Sequence, residues 1–114
     1  MRRILLAAAI LTFAPACTEA EEENPDTDAI LALSGDTANG KVAYDKSCAN
    51  CHKADGSGDA SLNYPSLAEH AKHESDGEIV TVILDGEEAM PAFRASLSDQ
   101  EVADILAYIR AEWG

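Results

Sequence analysis

The residues with the clearest chemistry lie in one short run, Cys48-Ala49-Asn50-Cys51-His52. Two thiols that are separated by two residues and followed directly by a histidine form the attachment signature for c-type haem. This spacing lets Cys48 and Cys51 add to neighbouring vinyl groups of one porphyrin as thioethers, and it positions the imidazole of His52 to bind the iron. The run therefore predicts one covalently bound haem c.

Three other sites could use the same residues: a redox-active dithiol, half of a zinc site, or a structural disulfide. A thioredoxin-like dithiol needs a βαβ context, and the sequence has no pattern of parallel strands. A zinc site needs a second pair of ligands, for which His70 and His73 are the candidates. Haem is favoured because the histidine directly follows the second cysteine and because the chain has an export signal, described below.

The sixth ligand of a haem iron separates electron carriers from oxygen or peroxide chemistry, and Met90 is the candidate for it. Met90 is the only methionine besides the initiator, and it lies in a loop between two predicted helices. A lone methionine commonly fills a gap in a core. Here Pro91 stiffens the loop, which favours a thioether that reaches the iron and raises its reduction potential relative to a second histidine.

Four other side chains with ligating or redox chemistry are interpreted as ordinary residues. His70 and His73 could bind a second metal or replace Met90, but exposed histidines beside acids are common in proteins. We expect Tyr64 and Trp113 to pack around the haem ring and not to relay electrons.

The amino terminus has the features of an export signal. Two arginines precede an apolar run from Ile4 to Phe13, which is too short to span a membrane, and small residues follow it. We therefore predict a signal peptide over residues 1–16. Cys17 is then either an unpaired thiol left by ordinary cleavage or the acylated first residue of a lipoprotein. The leader resembles a bacterial lipoprotein signal, which favours a lipid anchor at Cys17.

Composition limits both the fold and the partners. The 114 residues contain 21 acids against 8 lysines and arginines, a formal charge of −13, which excludes nucleic acid as a partner. We interpret residues 17–33 as an acidic flexible tether, and residues 34–114 as one folded domain. A domain of about eighty residues seldom builds a sufficient core from side chains alone, so a bound porphyrin would supply the missing apolar volume.

Helices are predicted on both sides of the cysteine run. Asp36 is the predicted N-cap of a helix that continues to Lys46 and ends just before the run. A loop rich in glycine, aspartate and serine follows over residues 53–63. Pro65 then opens a short helix that ends near His73.

The segment Ile79–Leu84 is the ambiguous one, because its β-branched residues favour a strand. A capping box formed by Ser75 and Glu78, together with Gly86 at the far end, favours a helix instead. No partner strand is evident elsewhere in the sequence. We therefore predict a helix here.

The carboxyl-terminal helix has the clearest pattern in the chain. Ser98 and Glu101 form a capping box at its start. We expect its apolar side to pack against the face of the earlier helix that carries Gly40 and Tyr44, since a glycine there permits close approach. That apolar side consists of Val102, Ile105, Leu106, Ile109 and Trp113.

Over residues 34–114 the sequence resembles the class I cytochromes c. The resemblance is carried by Gly40 and Tyr44 before the cysteine run, by Tyr64-Pro65-Ser66-Leu67, by Ala89-Met90-Pro91-Ala92-Phe93, and by Leu97-Ser98-Asp99 leading to Ala107-Tyr108-Ile109. It implies a small all-α fold wrapped around one haem. It also implies that the backbone carbonyl of Pro65 accepts a hydrogen bond from the imidazole of His52. Many relatives have glycine where this chain has Ala89 or Arg94.

The predicted function is single-electron transfer through Fe(III)/Fe(II) cycling, with His52 and Met90 as axial ligands and no substrate turnover. The resemblance implies a monomer that docks transiently with a redox protein such as a terminal oxidase, a reductase or a dehydrogenase. The basic residues are scattered along the sequence, so we expect basic or mainly apolar partner surfaces, unless the acids serve only solubility. The expected location is the periplasmic side, tethered through Cys17 or soluble there.

Three alternative functions stay open on the sequence alone. The protein could be a cytochrome subunit of a larger oxidase or dehydrogenase, or a sensor or docking module within a complex. It could also be a haem enzyme, peroxidase-like or sulfur-oxidising, in which the sixth ligand is displaceable.

Overall fold

The structure is a computed structural model that describes residues 25–114, so the predicted signal peptide and Cys17 lie outside the described residues. Within that range the regular elements are all helical, and strand pairing is limited to two isolated bridges. The α-helices are α1 (Pro25–Leu31), α2 (Thr37–Ser47), α3 (Ala49–His52), α4 (Leu67–His70), α5 (Asp76–Asp85) and α6 (Asp99–Trp113), with 3-10 turns at Ala60–Leu62 and Ala71–His73. The predicted all-α fold is confirmed. No helix in this part of the chain has both the length and the apolar character needed to cross a membrane.

Local signals in the sequence predict three of the helix starts correctly. The side chain of Asp36 accepts from the backbone N–H of Asn39 at 2.8 Å, and α2 begins at the next residue. Both predicted capping boxes are present, at Ser75 for α5 and at Ser98 for α6. The ambiguous segment is therefore a helix, as predicted.

The short helix after the cysteine run begins later than predicted. The hydroxyl of Ser66 accepts from the backbone N–H of Glu69 at 3.3 Å, so Ser66 is the N-cap and α4 begins at Leu67. Pro65 therefore lies outside the helix, and its backbone carbonyl is available to another partner.

The core forms where α2 crosses α6. A Cβ built on Gly40 would lie only 1.9 Å from the backbone oxygen of Asp104, so the two helices meet at this glycine as predicted. Tyr44 and Ile105 are fully buried there, and the ring of Tyr44 lies 5.2 Å from that of Tyr108. The predicted apolar side of α6 is rotated slightly, because Tyr108 is buried while Leu106 is only half-buried.

The expectation of a flexible tether over residues 17–33 is wrong for its second half. Residues 25–31 form α1, in which Ile30 is 1% exposed and Thr27 is 6% exposed. Acids in the first turn interact favourably with the positive end of the helix dipole. Burial of Ile30 stabilises the docked helix, which the acidic composition of the segment did not indicate. The folded unit thus includes α1, and the part of the predicted tether before Pro25 lies outside the described residues.

One buried acid was not anticipated. The carboxylate of Asp104 is 5% exposed and accepts from the backbone N–H of Asp36 at 2.7 Å. It also accepts from the side-chain amide of Gln100 at 2.8 Å. These bonds tie α6 to the residue that caps α2 and thereby fix the start of the helix that leads to the cysteine run.

Candidate haem site

The two predicted thioether residues, the two predicted axial ligands and Pro65 line one cavity of about 960 Å³. They come from three separate segments: Cys48, Cys51 and His52 at α3, Pro65 before α4, and Met90 after α5. The volume lies at the upper end of the range of roughly 300–1,000 Å³ that is common for ligand and cofactor pockets. A large planar group is therefore the kind of ligand that the cavity suits.

His52 ends α3 and is 9% exposed. Its Nδ1 lies 3.0 Å from the backbone oxygen of Pro65, the contact that the resemblance implied. A carbonyl oxygen can only accept a hydrogen bond, so Nδ1 must carry the proton in this contact. The lone pair then resides on Nε2, which is the form of imidazole that binds a metal.

The two cysteines are free thiols, and both are half-buried. The backbone N–H of Cys48 donates to the oxygen of Tyr44 at 2.8 Å, so the end of α2 fixes its position. Burial, and to a smaller extent the neighbouring Cys51, raise the pKa of Cys48 to about 11. The Cys48 thiol is therefore neutral near pH 7 before a thioether forms, and it lines the same cavity as His52.

Met90 is half-buried in a tight turn after α5. Gly86 ends the helix at a φ of 72°, and the backbones of Glu87 and Met90 exchange hydrogen bonds of 2.7 and 3.2 Å. The chain then folds back, so that the N–H of Phe93 donates to the oxygen of Ile83 at 2.9 Å. The backbone of Met90 is thus held by hydrogen bonds on a different segment from the imidazole.

The remaining walls of the cavity are mostly apolar. These walls are formed by side chains that belong to the hydrophobic core or pack against it, namely Leu67, Ala71, Ile79, Ile83, Phe93, Ile105 and Ile109. Apolar walls, two thiols, one oriented imidazole and one thioether together fit a covalently bound haem.

The rim of the cavity carries one sign of charge. Five exposed carboxylates line it, and no lysine or arginine does, among the residues that the structure describes. The five are Asp28, Glu74, Glu78, Glu87 and Glu88. An acidic rim of this kind attracts positively charged surfaces.

The two histidines and two aromatic residues that the sequence also singled out differ in where they lie relative to the cavity. His70 is exposed at the cavity and His73 does not line it. Within residues 25–114, no three His, Cys, Asp or Glu side chains come together to hold a metal ion, so the zinc alternative has no support there. Tyr64 lines the cavity as expected, but Trp113 does not; it packs 5.4 Å from the ring of Tyr44, away from the lining.

The contribution of α1 to the site was not predicted from the sequence. Thr27, Asp28 and Leu31 all line the cavity. Two local signals could have indicated a helix there: a proline at the first helical position and acids in the first turn. Only the tertiary structure shows which way that helix docks.

Comparison with known proteins identifies the family of the chain. Residues 35–109 match the family described as cytochrome C oxidase, cbb3-type, subunit III. The cytochrome c subunit of the quinone alcohol dehydrogenase of Gluconacetobacter polyoxogenes is 38% identical over 106 residues, covering 80% of this chain and 22% of that protein. This chain therefore spans only about a fifth of that relative.

Smaller relatives align over most of their length. Cytochrome c6 of Thermosynechococcus vestitus is 32% identical over 81 residues, covering 68% of this chain and 71% of that protein. The crystal structure of cytochrome c6 from the diatom Phaeodactylum tricornutum has a TM-score of 0.55 at 30% identity, covering 68% of this chain and 93% of the other. The chain therefore belongs to the c-type cytochromes, a family whose members bind one haem c covalently.

Proposed function

We propose that this protein carries single electrons between redox partners, with Cys48 and Cys51 as the thioether residues and His52 and Met90 as the axial iron ligands. The supporting observation is the convergence of these four side chains on one cavity with largely apolar walls. The bound haem supplies a one-electron Fe(III)/Fe(II) couple.

The polypeptide keeps both proposed ligands in place. The backbone carbonyl of Pro65 fixes the ring of His52, and the turn from Gly86 to Met90 fixes the thioether. The first restraint is a side-chain-to-backbone hydrogen bond and the second a pair of backbone hydrogen bonds, and neither has an ionisable acceptor. Little of the protein then has to reorganise when an electron arrives or leaves.

The decisive test is the absorption spectrum of the oxidised protein with and without Met90→His. We expect a methionine-to-iron band in the wild type and its loss in the variant. His70→Gln is the matched control, since His70 also lines the cavity, and it should retain the band. An unchanged spectrum in Met90→His, or loss of the band in His70→Gln, would refute the assignment of Met90.

Carbon monoxide separates an electron carrier from a haem enzyme. A sixth site closed by a tightly held ligand binds carbon monoxide slowly and weakly in the reduced protein. Rapid, tight binding to the wild type would contradict the carrier function and favour an enzyme with a displaceable ligand.

A cytochrome subunit of a larger complex is the second candidate. It is favoured by the names of two relatives, the cytochrome c subunits of quinone alcohol dehydrogenase and of gluconate 2-dehydrogenase. Gentle extraction followed by size-exclusion chromatography distinguishes the two. Elution at the size of a 12 kDa chain supports the free carrier, whereas co-elution of haem with a dehydrogenase activity supports the subunit.

The acidic rim suggests partners with basic docking surfaces. If charge steers the encounter, the bimolecular rate of electron transfer to a basic partner falls as salt rises. Glu87→Gln/Glu88→Gln removes two rim charges and should slow that rate. Asp99→Asn/Glu112→Gln removes two charges away from the cavity, and it should slow the rate less. Equal effects would indicate that the acids serve solubility alone.

We also propose export to the periplasmic side with a lipid on Cys17. With α1 beginning at Pro25, the seven residues 18–24 can span at most about 25 Å when fully extended. The cavity, which α1 lines, would then stay near the membrane surface. The mass of the mature amino terminus tests this: a diacylated Cys17 is expected, with Cys17→Ser released from the membrane, and an unmodified terminus in the wild type contradicts it.

A further inference from the structure

Arg94 joins three segments around the cavity. It lies four residues after Met90, and its guanidinium donates to the carboxylate of Asp85 at 2.9 Å and also to that of Asp26. Asp85 is the last residue of α5, and Asp26 lies in the first turn of α1. One side chain thus connects the Met90 loop to the helix that precedes it and to the amino-terminal helix.

The backbone around Arg94 is fastened to the end of α5. The N–H groups of Phe93 and Arg94 donate to the oxygens of Ile83 and Leu84 at 2.9 and 3.2 Å. These oxygens belong to the last turn of α5, where carbonyls have no partner within the helix. These two hydrogen bonds hold the backbone that follows Met90 against the end of α5.

Besides the ion pair of Asp26 with Arg94, α1 makes packing and hydrogen-bond contacts with the rest of the fold. The hydroxyl oxygens of Thr27 and Thr81 lie 3.2 Å apart, which joins α1 to α5, and Ile30 is buried. Because Thr27 and Leu31 line the cavity, movement of α1 would open the same cavity that Met90 borders. The ion pairs of Arg94 with Asp26 and Asp85 add to this contact, so that α1, α5 and the loop after Met90 are all joined to one another.

We propose that Arg94 is a positioning residue. With Asp26 and Asp85 it forms a latch that holds α1 and the Met90 loop closed over the cavity. The inference rests on the proposed function in one respect. If Met90 is the axial ligand, the closed loop keeps its thioether on the iron. Ion pairs this exposed shift an equilibrium by only about 1.5- to 5-fold. The latch therefore tunes how often the loop opens.

The first test measures how readily added imidazole displaces the methionine in the oxidised full-length holoprotein. Loss of the methionine-to-iron band reports the displacement. Arg94→Gln should raise the apparent affinity for imidazole by about 2- to 5-fold, because a more frequently open loop competes less well. Arg94→Lys should fall between the wild type and Arg94→Gln. Lys41→Gln is the matched control, because it removes an exposed ion pair with Asp45 on α2, away from the cavity.

A double-mutant cycle separates the latch from general destabilisation. Asp26→Asn alone should raise the imidazole affinity, and it should raise it by less in the Arg94→Gln background, because the ion pair with the guanidinium is already absent there. Fully additive effects of the two substitutions, or an unchanged affinity in Arg94→Gln, would overturn the proposal.

The last test does not depend on Met90 binding iron. Hydrogen exchange of the Phe93 amide reports opening of the loop directly, and Asp26→Asn lies far enough away in sequence to leave the intrinsic exchange rate of that amide unchanged. Exchange should be about 2- to 5-fold faster in Asp26→Asn than in the wild type. Faster exchange without a methionine-to-iron band in the wild type would support the latch and refute the ligand, whereas unchanged exchange would refute the latch whatever the spectrum shows.

Discussion

The crossing of α2 and α6 and the Met90 side of the cavity are stabilised in different ways. At the crossing, Gly40 lets the two backbones touch, and Tyr44 and Ile105 are fully buried by other side chains. On the Met90 side, apolar residues of α4, α5 and the loop face an open cavity. In the first region the apolar side chains are packed against one another. In the second they are fully packed only when a group is bound in the cavity.

Preventing haem attachment should therefore have the largest effect. Without haem, the mostly apolar walls of this 960 Å³ cavity are left facing water, and the net stability of a domain is only ~5–15 kcal/mol. We expect Cys48→Ala/Cys51→Ala, produced without haem, to lose most of its helical circular dichroism.

Wild-type protein made in cells that lack haem attachment is the control for the substitutions themselves, and it should behave like the double variant. If either apoprotein retained native helicity and a cooperative unfolding transition, the Met90 side would be as self-sufficient as the crossing. The distinction between the two regions would then be wrong.

The crossing can be broken without touching the cavity. In Gly40→Ala the new Cβ meets the backbone oxygen of Asp104 at 1.9 Å, which cannot yield as a flexible side chain would. We expect the free energy of unfolding of the holoprotein to fall by about 3 kcal/mol, at the upper end of the usual cost of overpacking.

Gly77→Ala is the matched control within α5. Its nearest neighbours lie 4.0 Å from the new Cβ, so the better helix propensity of alanine should raise stability by up to about 1 kcal/mol. Urea unfolding of both variants gives the comparison. Similar effects of the two substitutions would show that the close approach at Gly40 contributes nothing special.

The features that the sequence predicted are those with local causes. Asp36, Ser75 and Ser98 cap helices through residues only three positions away, so their signals survive without tertiary information. The cysteine run is equally local, because its chemistry requires fixed spacing.

The features that were missed depend on contacts between distant segments. Asp26 and Arg94 are 68 residues apart, and Asp36 and Asp104 also 68. In the sequence, Asp26 belongs to an acidic stretch and Asp104 to the polar side of an amphipathic helix. Only the docking of α1 on α5 and of α2 on α6 turns these acids into a latch residue and a buried acceptor.

Tyr44 lies where the two regions meet, so it tests how sharply they are divided. It lines the cavity, packs on Tyr108, and donates its hydroxyl to the backbone oxygen of Lys53 at 2.7 Å. Tyr44→Phe keeps the packing and removes the hydrogen bond, so we expect a loss of about 1 kcal/mol in the free energy of unfolding. Tyr64→Phe, a half-buried ring on the same cavity, should change stability by less than about 0.5 kcal/mol.

The last effect concerns the pH dependence that this buried hydroxyl imposes, which is confined to alkaline pH. Burial raises the pKa of Tyr44 above its ordinary value of 10, with a smaller contribution from Tyr108. The unfolded chain therefore loses this proton first as pH rises above about 10, so stability falls there by up to about 1.4 kcal/mol per pH unit. Tyr44→Phe should remove that part of the decline, which urea midpoints between about pH 8 and pH 11 would measure. Lysines and other tyrosines titrate in both proteins and cancel in the difference. Identical slopes would mean that the Tyr44 hydroxyl ionises as easily in the folded state as in the unfolded chain, and that the crossing of α2 and α6 is more open to water at the cavity than the structure indicates.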